Sequence, residues 1–281
     1  MIEHKTKASL RLALRYVVLT TIMVVMLGPL LWVMMSSLRP TPDIFKFSGQ
    51  ISWETFIPQT FTLEHYYALA KTDFARAVQN SLFVASATVV LGVFVNSLAG
   101  FAFAVFEFPF KRILFVLVLA SFMMPFESMV IPLYILMRAL GWTDTYRALI
   151  VPELANGLVI FLFRQFFSSI PKEVLEAARI DGASWFQIYL RIMMPLSWPV
   201  AATAALMLFI LQWDAFFWPL VAASKPEFMM VQIAIVRNMT LENVSWGQMF
   251  ASTTAAVLVA MIPFFILQRF YVRTILQGSL K

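Results

Sequence analysis

SSIPKEVLEAARIDGASWFQIYLRIMMPLSWP, residues 168–199, breaks into a chain otherwise dominated by long uncharged runs. Pro171 suits the first turn of a helix, where its missing N–H removes no bond, and Gly182 suits the left-handed position just past a helix end. The spacing predicts a helix of about three turns over 171–181. A second helix starts near Ser184, a residue type that caps helices, and runs to Pro195. Val174, Leu175 and Ala178 share one face of the first helix, while Lys172, Glu176 and Arg179 project elsewhere. The segment reads as two short helices hinged at a glycine.

Composition says where this knuckle sits. Of 281 residues, 61% are hydrophobic and only 13% charged, with a mean hydropathy of +0.81, far from the soluble range of roughly one half apolar and one quarter charged. The chain is a membrane protein. It has no cysteine, which excludes disulfides, thiolate metal sites and a Cys nucleophile. Its two histidines, His4 and His65, both lie outside the apolar runs, so an intramembrane metalloprotease or Ser/His protease has no imidazole at membrane depth.

Uncharged or nearly uncharged runs over 16–36, 81–106, 113–137, 149–167, 199–218 and 249–267 each approach the ~20 residues that a spanning helix needs. The fold class is all-α, with six transmembrane helices in a single transmembrane domain over 1–281. The first run is too long for a signal-peptide core and lacks a small-residue cleavage site, so it reads as a retained span. Lys and Arg are sorted by side. Placing the N-terminus inside puts thirteen basic residues against five acids on the inner side and eight against seven on the outer, with three acids at membrane depth. Both termini are expected in the cytoplasm. The outer loop over 37–80 carries Pro40, Pro42 and Pro58 and a helical-looking stretch over 63–78.

The three acids within apolar runs are Glu127, Glu153 and Asp214. Counted at ~1.5 Å per residue along straight helices, all three reach the outer third of the bilayer. Two readings compete. The carboxylates, beside Trp213, Phe216, Phe217 and Trp218, offer acceptors and stacking faces to sugar hydroxyls and rings. Alternatively the aromatics form the outer interfacial belt and the acids pair with Arg138, Arg147 or backbone N–H groups. In the second span Gly92, Asn96, Ser97 and Gly100 read as close helix packing through small residues, with a substrate role for Asn96 as the alternative.

The 168–198 loop likewise has two readings: a connection resting on the membrane surface with Glu176 paired to Lys172, or a docking element. The order Glu176, Ala177, Ala178, Asp181, Gly182, Ala183, then Ile192, Pro195 and Pro199 resembles the cytoplasmic motif of the inner-membrane permease subunits of ABC importers. The stretches over 123–171, 209–221 and 269–281 are similar to the carbohydrate-uptake branch, and to the second, six-span permease of maltose-type transporters. Where that family commonly has Trp-Asn-Asp-Phe, this chain has Trp213, Asp214, Ala215 and Phe216.

The resemblance implies the type I ABC importer permease fold and an inner (plasma) membrane location. It implies a heteromeric importer of a sugar or sugar-like solute, made of this chain, a sister permease, a homodimeric cytoplasmic ATPase and an extracytoplasmic solute-binding protein. The motif from Glu176 to Pro195 then couples to the ATPase, and Glu127, Glu153, Asp214, Trp213 and Phe217 are candidates for the solute pathway. No glycine here opens a phosphate-binding loop of the Gly-x-x-x-x-Gly-Lys-Ser/Thr type. The chain is therefore expected not to be an enzyme and to need no cofactor of its own, ATP and Mg being used by the partner; no nucleic acid is expected among its partners. A stand-alone secondary transporter is the alternative, and it would have no use for the knuckle.

Overall fold

The computed structural model describes residues 2–46, 49, 52–237, 239–240 and 243–278, with side chains over 12–46, 49, 52–237, 245–266 and 268. The charge-sorting expectations on Glu3, Lys5, Lys7, Arg11, Glu242, Arg269, Arg273 and Lys281 lie outside those side chains. In chain order, α1 (Ile2–Ser36) leads to α2 (Trp53–Phe56) and α3 (Glu64–Ala70), then α4 (Phe74–Val105), α5 (Lys111–Met123), α6 (Phe126–Ala139), α7 (Tyr146–Ile150) and α8 (Gly157–Phe167). The knuckle comprises α9 (Lys172–Ile180), α10 (Trp185–Ile188), a π turn over Tyr189–Met193 and α11 (Met194–Leu196). α12 (Trp198–Trp213), α13 (Phe217–Ala222) and α14 (Val231–Arg237) follow. β1 (Met239–Thr240) and β2 (Asn243–Val244) form a two-residue antiparallel ladder before α15 (Trp246–Gly278).

Among the described residues, Leu12–Ser36, Phe74–Val105 and Trp246–Ile266 are long and apolar enough to cross a bilayer. Three bent pairs raise the number to six if each is one span: α5 with α6, bent by 102°, Tyr146–Glu153 with α8, bent by 43°, and Trp185–Leu196 with α12, bent by 81°. The 102° bend at Met124 and Pro125 means that Glu127 does not continue the straight line of α5. Met124 leaves the helical region at ψ 131°, and Pro125, which cannot donate, opens α6. The helix expected over 63–78 also divides. It stops at Ala70, and the Thr72 hydroxyl accepts from the Phe74 N–H at 3.2 Å to restart the chain as α4.

The chain forms two compact units, Met1–Phe74 with Ile235–Val257, and Ala75–Ala234 with Leu258–Lys281. In the first, the Arg39 side chain is buried and its Nη2 donates to the carbonyls of Glu54 and Thr55 at 2.6 and 2.7 Å, satisfying backbone acceptors of the loop around α2. The buried His65 Nε2 lies 2.9 Å from the Arg39 carbonyl. Trp32, Phe45, Trp246 and Phe250 make a cluster of mostly edge-on rings 5.2 to 6.3 Å apart.

The core of the second unit runs through Phe101 on α4, Val159, Phe163 and Phe167 on α8, Ala178 on α9, Ile188, Tyr189, Met193, and Ala204 and Leu208 on α12. The helical spacing of these apolar residues turns one face of each element inward. At Gly100 a Cβ would fall 2.6 Å from the Phe163 Cβ and 2.9 Å from the Arg164 nitrogen, so only glycine lets α4 and α8 approach this closely. Close packing of this kind is what small residues provide between membrane helices.

Candidate functional site

Local backbone chemistry fixes the knuckle. Pro171 stands just before α9 with φ −56° and ψ 136°, and Gly182 takes φ +81° just after it. The Ala183 N–H donates to the Ala178 carbonyl at 3.0 Å and the Gly182 N–H to the Arg179 carbonyl at 3.1 Å, the paired bonds of a Schellman ending. Ser184 and Gln187 then cap α10 reciprocally: Ser184 Oγ accepts from the Gln187 N–H at 3.3 Å and Gln187 Oε1 from the Ser184 N–H at 2.8 Å. Helix end and helix start are thus joined with their free backbone groups satisfied.

Arg179 braces the turn. Its Nη1 donates to the Ala183 carbonyl at 2.8 Å and its guanidinium lies 4.9 Å from the Trp185 ring. Trp185 in turn meets Phe106, just beyond α4, edge-on at 5.1 Å. Ala178 is buried and Leu175 packs on the same core, as the apolar face of α9 predicts. Val174 is 37% exposed, at the edge of that face.

The opposite face is free. Glu173, Glu176, Ala177 and Ile180 are exposed, and their spacing of three, four and seven residues places them on one stripe. Ile180 is 86% exposed, an apolar side chain beside two carboxylates. No ion pair joins Glu176 to Lys172 among the described residues, so nothing on α9 neutralises that carboxylate. Asp181, also exposed, closes the helix. Pro195 lies in α11, where the chain turns by 81° into α12 after a π turn. A π turn is a rare local conformation that recurs at functional sites.

The candidate pathway residues are distributed differently. Trp213 is buried, stacks on Phe209 with centroids 5.7 Å apart, and its carbonyl accepts from Gln232 Nε2 at 3.2 Å. Asp214 caps the end of α12 and is exposed, as are Phe217 on α13 and Glu127 in the first turn of α6; Glu153 ends the 3-10 turn Val151–Glu153, half-buried. Trp218 ties three of these segments together. Its Nε1 donates to the Ala148 carbonyl at 2.9 Å, and Phe126 meets its ring edge-on at 6.4 Å. Among the described residues none of the three acids is paired with Arg138 or Arg147, so the ion-pair alternative for them is not realised within this chain.

Asn96 holds the broken span in place. Its Nδ2 donates to the Gly92 and Leu154 carbonyls at 2.6 and 2.8 Å, and its Oδ1 accepts from the Asn156 N–H at 2.8 Å. The two backbone groups at 154 and 156 belong to the gap between the 3-10 turn and α8, where helical bonds are missing. In the sequence Asn96 reads as close packing or as a substrate contact; an amide standing in an apolar run is the signal that could have pointed to this role.

Residues 96–277 match the family described as "Binding-protein-dependent transport system inner membrane component". The chain is 30% identical over 255 residues to the arabinooligosaccharides transport system permease protein AraQ of Halalkalibacterium halodurans, covering 90% of each chain. It is 27% identical over 267 residues, 95% of each chain, to the lactose transport system permease protein LacG of Rhizobium radiobacter. Over 204 residues, 72% of each chain, it is 32% identical to the sn-glycerol-3-phosphate transport system permease protein UgpE of Agrobacterium fabrum. Its fold is similar to a chain of a bacterial ABC transporter involved in the import of the acidic polysaccharide alginate, with a TM-score of 0.81 and 20% identity over 92% of this chain and 95% of the other. The chain therefore belongs to the binding-protein-dependent inner membrane component family, the permease subunits of ABC importers, and it is a multi-pass membrane transport subunit rather than an enzyme.

Proposed function

We propose that this permease carries a sugar or sugar-like solute, that its knuckle and both termini face the cytoplasm, and that the exposed stripe of α9 docks on a homodimeric ATPase. A sister permease supplies the other half of the pathway, and a solute-binding protein delivers the solute from outside. ATP and Mg are used by the ATPase. The relatives named for arabinooligosaccharide and lactose transport support the sugar assignment, and the sorting of Lys and Arg supports the orientation.

The observation that carries the coupling role is the pairing of a rigid ending with a free face. α9 is pinned by the Gly182 turn, the Ser184 cap and the Arg179 brace, yet Glu173, Glu176, Ala177 and Ile180 meet nothing in the chain's core. A helix fixed at its base and open on one side transmits a push from a bound partner into the helices beneath it. Glu176 meets a basic group of the ATPase, and removing one partner of a charge pair desolvated on docking costs about 2–5 kcal/mol, enough to weaken binding by orders of magnitude.

Glu176→Lys and Ile180→Asp are the test, each expressed with all partner chains. The expected result is loss of ATPase co-purification and of uptake while the sister permease stays bound. Wild-type co-purification and uptake in both variants would reject the docking role.

A further inference from the structure

Between α5 and α8 a groove of about 580 Å³ is lined by Glu107, Lys111, Arg112, Phe115, Val116, Leu119 and Arg164. The volume is within the range of small-ligand sites. Its floor is aromatic: the Arg164 guanidinium carbon lies 4.0 Å from the centroid of the Phe115 ring, which stacks on Phe161 at 6.4 Å. The Lys111 ammonium is 2.9 Å from Glu107 Oε1, so the single acid of the groove is already neutralised. Arg112 and Arg164 have no acidic partner among the described residues, and Arg164 Nε is buried without a hydrogen-bond acceptor. Three cations against one carboxylate leave two positive charges facing an otherwise apolar wall.

The position of the groove adds to this. The 106–110 connection joins the ends of two apolar helices, α4 and α5, which sets it at the headgroup level of a bilayer. Within it Phe110 is 73% exposed and held at φ 61°, a conformation that bulky residues rarely adopt. The exposed ring is suited to anchoring in the interface. The N-terminus of α5 adds partial positive charge beside Arg112. Val116, 56% exposed, and Leu119 continue the groove along α5 into the hydrocarbon region.

We propose that this groove binds the phosphate of an anionic phospholipid, with Arg112 and Arg164 on the headgroup and an acyl chain along Val116 and Leu119. Basic clefts between membrane helices are suited to such headgroups. The same arginine lies in the last turn of α8, which leads directly into α9, so an occupied groove braces the helix from which the knuckle springs.

The test uses the complete transporter in nanodiscs of phosphatidylcholine with increasing phosphatidylglycerol, reading retained phosphatidylglycerol by native mass spectrometry. Arg112→Gln with Arg164→Gln should weaken retention by roughly 25-fold, about fivefold for each guanidinium. Arg112→Lys with Arg164→Lys, which keeps both charges, should retain most of it. If the double Gln variant does not assemble, Arg112→Gln alone, at an exposed position, should still lose about fivefold. Unchanged retention in the Gln variants overturns the proposal. So does displacement of the lipid by millimolar inorganic phosphate, which would make this a site for a soluble anion. Loss of the ATPase with lipid retention unchanged would assign the groove to the ATPase contact and overturn it equally. By contrast, failure of Glu176→Lys to release the ATPase would leave the lipid result standing.

Discussion

Tyr189 and Ser97, 92 residues apart in sequence, share a hydroxyl to hydroxyl hydrogen bond of 2.7 Å in the core of the second unit. Ser97 donates its only proton to the Phe94 carbonyl at 3.0 Å, so the Tyr189 O–H is the donor between them. The bond joins the π turn behind the knuckle to the last third of α4. Rings reinforce it: Phe101 lies 5.5 Å from Tyr189 and Phe94 lies 6.5 Å away. A displacement of α9 and α10 is therefore applied to a membrane-spanning helix, not to a free loop.

Tyr189→Phe should destabilise the assembled subunit by about 0.5–1.5 kcal/mol, the usual net value of one hydrogen bond. Ser97→Ala should cost more, about 1–3 kcal/mol, because it also removes the bond to the Phe94 carbonyl and strands the buried Tyr189 O–H. Because Tyr189→Phe then removes the stranded hydroxyl, the double variant should be no worse than Ser97→Ala alone in a thermal-unfolding cycle. Strict additivity of the two losses would show that the bond contributes nothing.

Gly182 gives a cleaner separation of backbone from side chain. Nothing lies within 4 Å of a Cβ built there, so a substitution meets no clash, only the conformational penalty of φ +81°. For a β-branched residue that penalty is about 1–2 kcal/mol, whereas Asn visits the left-handed region readily. Gly182→Val should impair uptake and ATPase binding while Gly182→Asn stays near wild type. Equal behaviour of the two variants would remove the left-handed turn from the coupling account.

How much of this was legible depends on the kind of residue that carried it. Pro171 fixes its own φ, Gly182 tolerates the left-handed position and Ser184 caps with its hydroxyl, so the knuckle was readable to within a residue at each end. The 102° bend at Pro125 was not, because a proline marks a helix break without setting its angle and hydropathy records no direction. The stretch over 63–78 looked continuous because no Gly or Pro interrupts it, and the Thr72 cap that divides it is a local hydrogen bond. Trp213 reads in the sequence as an aromatic beside an acid; its burial and its stacking on Phe209, one turn earlier on the same helix, show only in the structure. The groove around Arg164 joins two helices far apart in sequence and had no linear signature.

The orientation has a direct test because the chain contains no cysteine. Gln59 and Lys172 are both exposed. In intact cells Gln59→Cys should react with a membrane-impermeant maleimide at once, and Lys172→Cys only after permeabilisation. The reverse pattern would invert the proposed topology.

Glu127, Glu153 and Asp214 have no cationic partner among the described residues, and ionisable groups left unpaired at membrane depth are expensive unless they face water or a partner. If they face the solute pathway, Glu127→Gln, Glu153→Gln and Asp214→Asn should change the apparent uptake affinity with the complex intact. Three variants with normal uptake would place these acids outside the pathway.

Asn96 should be the most sensitive polar position of the described spans. Its side chain makes three hydrogen bonds, two of them to the backbone at 154 and 156, where the chain between the 3-10 turn and α8 has no helical partners to use instead. Asn96→Ala therefore strands a part-buried carbonyl and a part-buried N–H at once, at up to about 1–3 kcal/mol each. Asn156→Ala removes something different: the side-chain oxygen that caps α8 by accepting from Leu158 and Val159 N–H groups at 3.1 and 3.2 Å. That loss is about 0.5–2 kcal/mol, and the Asn156 main-chain N–H still reaches Asn96. Asn96→Ala should thus lower the yield of assembled transporter more than Asn156→Ala, and because the two residues share a hydrogen bond their effects should couple rather than add. Asn96→Asp keeps the acceptor for Asn156 but loses both donors, so it should fall with Asn96→Ala rather than with wild type. A wild-type yield and thermal midpoint for Asn96→Ala would show that the break at 154–156 is held by packing alone.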